Sequence, residues 1–192
     1  MEKKSDKKRS MILLKAKQVF IKKGFTAVTM KDIIDECNIS RGGIYLYFQS
    51  VDEIFMQVII SHNEQKLKEA KDNVAEAKCF KQLIDEYFEK QKKRLLNING
   101  SLLIAMYEYR FAHKYDYDKE FFSNQLTRTK DIVLEILRYG ADNGDISNEK
   151  IDDLAMHIVF FIEGISLLGT ASGISEEYID NQIEFIKEMI FH

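Results

Sequence analysis

The chain has 192 residues, 45% of them hydrophobic and 31% charged, with no Pro, 9 Gly and 2 Cys. That balance excludes a disordered polymer over most of the length, and the scarcity of the two helix-breaking residues predicts an all-α fold. Net charge is −3, yet residues 1–50 hold 11 Lys/Arg against 5 Asp/Glu, so a head of +6 precedes a body of −9, the asymmetry of a head that meets phosphate.

Residues 1–8 are polar and read as a frayed end. A first helix is expected over 9–23, with Ile12, Leu13, Ala16, Val19 and Phe20 as its core stripe and Gly24 past its end. The run Met11 to Leu14 is cut short by Lys15 and Lys17, so no secretory signal is expected. Thr29 with Asp32 three places on makes a capping box that opens a short second helix. Asn38 tolerates the left-handed conformation of a sharp turn, and Ile39 is placed to enter the core beside it. Ser40 caps a third helix over 41–48, whose Ile44 and Phe48 face inward, and Ser50 with Glu53 forms a third box opening a fourth helix. Two short helices joined by a turn of about three or four residues have helix-turn-helix proportions.

The fourth helix continues past Lys71, with Ile54, Phe55, Val58, Ile59 and His62 on one face. The fifth carries Phe80, Leu83, Ile84, Tyr87 and Phe88, and a break follows at Asn97–Gly100. The sixth carries Leu102, Leu103, Met106, Tyr107 and Arg110, and another break is expected over 115–118. A seventh helix runs to about Tyr139, before a loop over 140–145. An eighth spans about 148–169 and a ninth about 175–191, giving about nine helices. The expected division is a DNA-binding domain over 5–66 and a larger helical domain over 67–192, to which the family resemblance given below assigns effector binding and dimerisation. No apolar span of about 20 residues is read, so no membrane segment is expected.

The third helix carries the chemistry. Arg41 can fork onto a guanine edge or a phosphate, and Gly42 and Gly43 let the backbone approach a ligand closely. Tyr45 and Tyr47 can bond phosphate through the hydroxyl while the ring meets sugar or thymine methyl. Thr29, Ser40 and Ser50 sit at helix starts whose N–H groups receive phosphates, and Lys31 adds charge, as do Lys3, Lys4, Lys7, Lys8 and Arg9. These residues point to double-stranded DNA.

At fixed spacings over residues 9–60, Arg9, Ile12, Leu13, Ala16, Phe20, Gly24 and Phe25, then Thr29, Asp32 and Ile33, then Ile39 through Tyr45, with Tyr47, Phe48 and Ser50, resemble the TetR family of bacterial one-component regulators. Glu108, the Gly140–Asp145 loop and the Glu163–Gly164 pair extend the resemblance more loosely. The chain departs from the family at Asn38 (usually Gly), Gly43 (usually a small hydroxyl residue or Ala), Leu46 and Tyr47 (usually polar or His nearby) and Val51 (usually Lys, a phosphate contact). The resemblance implies a homodimer through the last two helices, on a pseudo-palindromic operator, in the cytoplasm on the nucleoid. Cys37 and Cys79, with no disulfide or metal spacing, agree with a reducing compartment.

The ninth helix carries two stripes: Ile179, Ile183, Ile186 and Ile190 for its own core, and Tyr178, Phe185 and Met189 for a partner. Gly164 and Gly169 suit close helix approach. The resemblance also implies an inducer cavity among the fourth to seventh helices, for which Phe88, Met106, Tyr107, Arg110, His113, Phe122 and Glu163 are candidates. Arg110 would suit an anion; Glu163 or an aromatic cage would suit a cation. His62, His113, His157 and His192 have no metal spacing, His157 is expected to be a hydrogen-bonded core residue, and no catalytic set or cofactor motif is found. The function expected is a ligand-responsive regulator, a repressor released by a small hydrophobic effector. The alternative is a DNA-binding protein controlled by a protein partner without an effector.

Overall fold

The structure, a computed structural model, describes residues 2–113 and 116–191. The described residues form nine α-helices and one short 3₁₀ turn, with no strand. They are α1 (Glu2–Lys23), α2 (Met30–Cys37), α3 (Arg41–Tyr45), α4 (Val51–Glu76), α5 (Phe80–Leu96), the 3₁₀ turn Ile98–Gly100, α6 (Leu103–Ala112), α7 (Asp116–Asp142), α8 (Ile151–Ser172) and α9 (Glu176–Phe191). They fall into two compact units, one of residues 1–62 and 99–118, the other of 63–98 and 119–192.

In the first unit α1 begins at Glu2 rather than near residue 9. The lysine-rich start has good helix propensity and no breaker, and Asp6 lies towards the favourable end of the helix dipole. The side chains of Lys3 and Lys4 lie outside the described residues. Ile12, Ala16, Phe20, Ile33, Ile44, Phe48 and Ile54 are fully buried and hold α1 to α4 together. Phe25, Phe55 and Tyr109 stack edge-on or tilted at 4.8–5.0 Å, which brings α6 into this unit. The break expected over 115–118 lies partly outside the described residues, and helix has resumed by Asp116.

The second unit packs one apolar core from α5, α7, α8 and α9. Asn63 and Gln125, both buried, satisfy each other at 2.9 Å and tie α4 to α7. Two glycines expected near helix ends lie inside helices instead. Gly140 sits in α7 because the Phe80 ring occupies the space of its missing Cβ, and Gly169 sits in α8 with Ile98 in the same role. The helices stop at Gly144 (φ 78°) and Gly173 (φ 72°), where the left-handed backbone needs glycine.

Two further expectations are corrected by α8. At 22 residues, with an apolar window of mean hydropathy 1.7, it is long and apolar enough to cross a membrane by length and composition. Its first turn, however, carries Asp152 and Asp153, and Ile151, Ala155, Ile158, Val159, Ile162 and Ile165 are buried in the unit's own core. The sequence reading missed this span because Asp, His and Glu interrupt it. His157, expected in the core, is exposed on the opposite face, since it lies between the buried positions 155 and 158. His192 lies outside the described residues.

Candidate nucleic-acid interface

Helix starts organise the head. The Thr29 hydroxyl accepts from the Asp32 N–H at 3.3 Å while the Asp32 carboxylate accepts from the Thr29 N–H at 2.9 Å, a complete capping box. Lys23 donates to the same carboxylate at 2.6 Å. This bond, with those from Thr29, holds the Asp32 carboxyl down at about 2. Asn38 adopts φ 51°, ψ 51°, the left-handed turn expected of it, and Ile39 beside it is half-buried. Ser40 then caps α3, its Oγ accepting the Gly43 N–H at 3.1 Å.

The third helix is shorter than the sequence suggests. It ends at Tyr45, and the Tyr47 and Phe48 N–H groups both return to the Ile44 carbonyl, at 2.9 and 3.0 Å. That tightening drops Phe48 into the core and turns Leu46 outward, 81% exposed. The Ser50 box also differs: Ser50 Oγ accepts from the Glu53 N–H, but the Glu53 carboxylate reaches past Ser50 to the Gln49 N–H at 2.7 Å.

These devices present a polar, basic surface. Thr29, Lys31, Ser40, Arg41 and Gly42 are exposed; Gly43, Tyr45, Tyr47 and Ser50 are half-buried. The Arg41 guanidinium lies over the Tyr45 ring, 5.9 Å from its centroid. The two glycines have different reasons. A Cβ at Gly43 would press on Ser40 Oγ at 3.1 Å, so this glycine makes room for the cap. A Cβ at Gly42 would meet nothing within 4 Å, so the fold does not require glycine there. Leu46, which the sequence marks only as a departure from the family, adds a single large apolar side chain to this surface.

Below this surface Glu108 of α6 clasps the α1–α2 turn. Its carboxylate accepts from the Phe25 N–H at 2.6 Å and from the Thr26 N–H and hydroxyl at 2.9 and 3.1 Å. Gly24, at φ 75°, leaves the space that the carboxylate fills. His113 is held from two sides, Nδ1 against the Tyr109 carbonyl at 2.9 Å and Nε2 against the Asp52 carboxylate at 2.6 Å.

The second unit contains a cavity of about 260 Å³ between α4, α5 and α7. Ala70, Leu83, Ile132 and Ile136 give it apolar walls, and Tyr87 and Arg94 line it with polar groups. A smaller cavity of about 140 Å³ beside it is lined mainly by polar side chains of α4 and α5.

A family model described as bacterial regulatory proteins of the tetR family matches residues 12–58, and one described as a tetracyclin repressor-like C-terminal domain matches residues 83–180. The chain belongs to the TetR family. It is therefore a DNA-binding transcriptional regulator, and the first matched stretch includes α2 and α3. The HTH-type transcriptional regulator YfiR of Bacillus subtilis is 30% identical over 158 residues, covering 82% of this chain and 76% of the relative. Among solved structures, reduced NemR of Escherichia coli has the same fold at a TM-score of 0.77 and 15% identity, with 96% of this chain and 98% of that one covered. FadR of Bacillus subtilis, solved with stearoyl-CoA, follows at 0.69 and 16%, with 92% and 96% covered.

The seven effector candidates of this TetR-family chain divide between the units. Met106, Tyr107, Arg110 and His113 lie on or next to α6 in the first, and Phe88, Phe122 and Glu163 lie in the second. Phe88 is core, 1% exposed. Arg110 lies over the Tyr107 ring at 6.0 Å, and His113 is engaged as above. None of the seven lines the 260 Å³ cavity, whose α5 wall includes Tyr87, the neighbour of Phe88, and Arg94. The regulator's last two helices carry an apolar face that the chain itself does not cover. Phe160, Leu167 and Leu168 of α8 and Tyr178, Phe185 and Met189 of α9 are 41–59% exposed, while Ile179, Ile183, Ile186 and Ile190 are buried, the division of stripes expected for α9. Gly164 is exposed between the α8 residues, with nothing within 4 Å of where its Cβ would be.

Proposed function

We propose that this TetR-family regulator is a homodimeric repressor that leaves its operator when a small hydrophobic effector occupies the cavity of the second unit. The cavity carries the reading: a filled core would favour control by a protein partner instead. Two helix-turn-helix heads on a two-fold dimer suit a pseudo-palindrome with half-sites about one DNA turn, or a multiple, apart. Arg41 and Tyr45 read base edges, and Thr29, Lys31, Ser40, Tyr47 and Ser50 hold phosphates, with Gly42 and Gly43 at the closest backbone approach. The uncovered α8–α9 face suits the dimer contact, since large exposed apolar patches mark interaction sites, and it accounts for the apolarity of α8 without a membrane. Such a protein works in the cytoplasm on the nucleoid, as a regulator and not an enzyme, without a metal or cofactor.

The cavity is lined partly by α4, which also carries Val51–His62 in the head unit, so one helix connects effector site and reading surface. An effector that binds the released conformation more tightly shifts the population toward it. Mobility shifts on DNA flanking the protein's own gene test the first step. The expected complex is sequence-selective, and its affinity falls with salt by about one logarithmic unit of slope per phosphate contacted. Binding that is indifferent to sequence would contradict the reading.

A further inference from the structure

Arg94 is an unusual residue to find lining an apolar cavity. Its Nη2 donates to Ser166 Oγ at 3.2 Å, and Ser166, fully buried, passes its own hydrogen to the Ile162 carbonyl at 2.6 Å, so the guanidinium is held in place by α8. Its Nε–H is buried and finds no acceptor, and no carboxylate pairs with Arg94 among the described residues. A buried guanidinium N–H without an acceptor is a cost that folded proteins avoid unless something else supplies the acceptor.

The other charges around the cavity lie differently. Glu69 and Glu86 are exposed, and each accepts from a neighbouring glutamine on its own helix, Gln65 and Gln82, at 2.9 Å. Lys90 is exposed on α5 and Lys66 half-buried on α4. α7 contributes only Ile132 and Ile136. The carboxylates are therefore exposed to solvent, while Arg94 is half-buried and held by Ser166. Tyr87, about two turns before Arg94 on α5, keeps its proton. Burial pushes its phenol up to about 12 although the Arg94 charge pulls the other way.

We propose that the cavity takes a small apolar carboxylate, with the carboxylate forked on Arg94, the Tyr87 hydroxyl donating beside it, and the hydrocarbon against Ala70, Leu83, Ile132 and Ile136. The proposal rests on reading this cavity as the effector site and adds the chemical class. Guanidinium and carboxylate match in planar, two-bond geometry, and the pairing strengthens away from water. The volume of about 260 Å³ lies just under the range of about 300–1,000 Å³ usual for drug-sized ligands, so the occupant is a medium-chain or small aromatic acid.

Titration calorimetry of the full-length protein with octanoate, 1-octanol and octylamine tests this, since the three differ only at the head group. Octanoate is expected to bind about tenfold tighter than octanol, a difference of about 1.4 kcal/mol, and octylamine weakest. Arg94→Gln should bring octanoate down to the octanol level. Arg94→Lys, which keeps the charge but loses the fork, should fall between. Tyr87→Phe should cost a few-fold, and circular dichroism checks that each variant is folded. Equal or tighter binding of octanol or octylamine, unchanged octanoate affinity in both Arg94 variants, or no binding by any of the three would overturn the proposal. Operator affinity measured with each compound separates it from the reading it rests on. Octanoate that binds through Arg94 and leaves the operator complex unchanged removes the effector role and keeps the carboxylate site. Operator release by octanol and octanoate alike keeps the effector role and removes the carboxylate preference.

Discussion

The α2–α3 surface of the head and the α8–α9 face of the body are both exposed, and they are built on opposite rules. On the head most exposed groups are polar, and short-range devices fix the helix starts and the turn: the Thr29–Asp32 box, the Asn38 turn, the Ser40 cap on Gly43. On the body the exposed groups are large and apolar, from Phe160 to Met189, and no local bond fixes them. The first surface suits a charged, hydrated partner that must be met in a set geometry. The second suits a partner as apolar as itself, and a second copy of the same face supplies one.

The largest effect is expected at Phe185, 59% exposed on α9. Phe185→Glu buries a charge in the proposed dimer contact and should weaken dimerisation by about 2 kcal/mol or more, roughly thirtyfold. Sedimentation equilibrium reads that shift, and an unchanged dimer would place the contact elsewhere. Loss of the Glu108 clasp should lower stability by about 2 kcal/mol in Glu108→Ala, because two backbone N–H groups lose a charged acceptor; denaturant unfolding measures it. Arg41→Ala tests the other surface. It should cost about 1–3 kcal/mol of operator affinity and relax selectivity at one base position, with the melting temperature unchanged.

Asp32→Asn is the smallest effect, about 1 kcal/mol of stability from the weakened cap. Its pH dependence has a defined sign. The folded Asp32 carboxyl lies near 2, below its unfolded value, so its contribution is full above the ordinary carboxylate range and is lost as pH falls toward 2. In unfolding curves taken from pH 5 down to pH 2, the wild type should lose its advantage over the variant across that window. A constant difference would mean that the Lys23 and Thr29 bonds do not hold the carboxylate.

The head was legible in the sequence because its determinants are local. Thr29, Asp32, Asn38 and Ser40 act within three or four residues of themselves, and each does what its chemistry predicts. The errors came where a distant residue decides. Gly140 reads as a helix end until Phe80 is seen in its empty space, and Gly169 likewise with Ile98. The outward turn of Leu46 follows from two N–H groups sharing the Ile44 carbonyl, a backbone choice that side-chain periodicity does not report. Arg94 follows the same rule: its bonding partner Ser166 lies 72 residues away, and Ile132 and Ile136 across the cavity belong to another helix, so spacing does not report them.

Selection of bound sequences from a random double-stranded pool, with the wild type and Phe185→Glu side by side, tests whether the protein reads DNA as a two-fold dimer. The wild type should enrich a two-fold symmetric motif with half-sites one helical turn, or a multiple of it, apart, and the variant should lose it or retain single half-sites. No enriched sequence, or an asymmetric motif that the variant selects equally well, would contradict it.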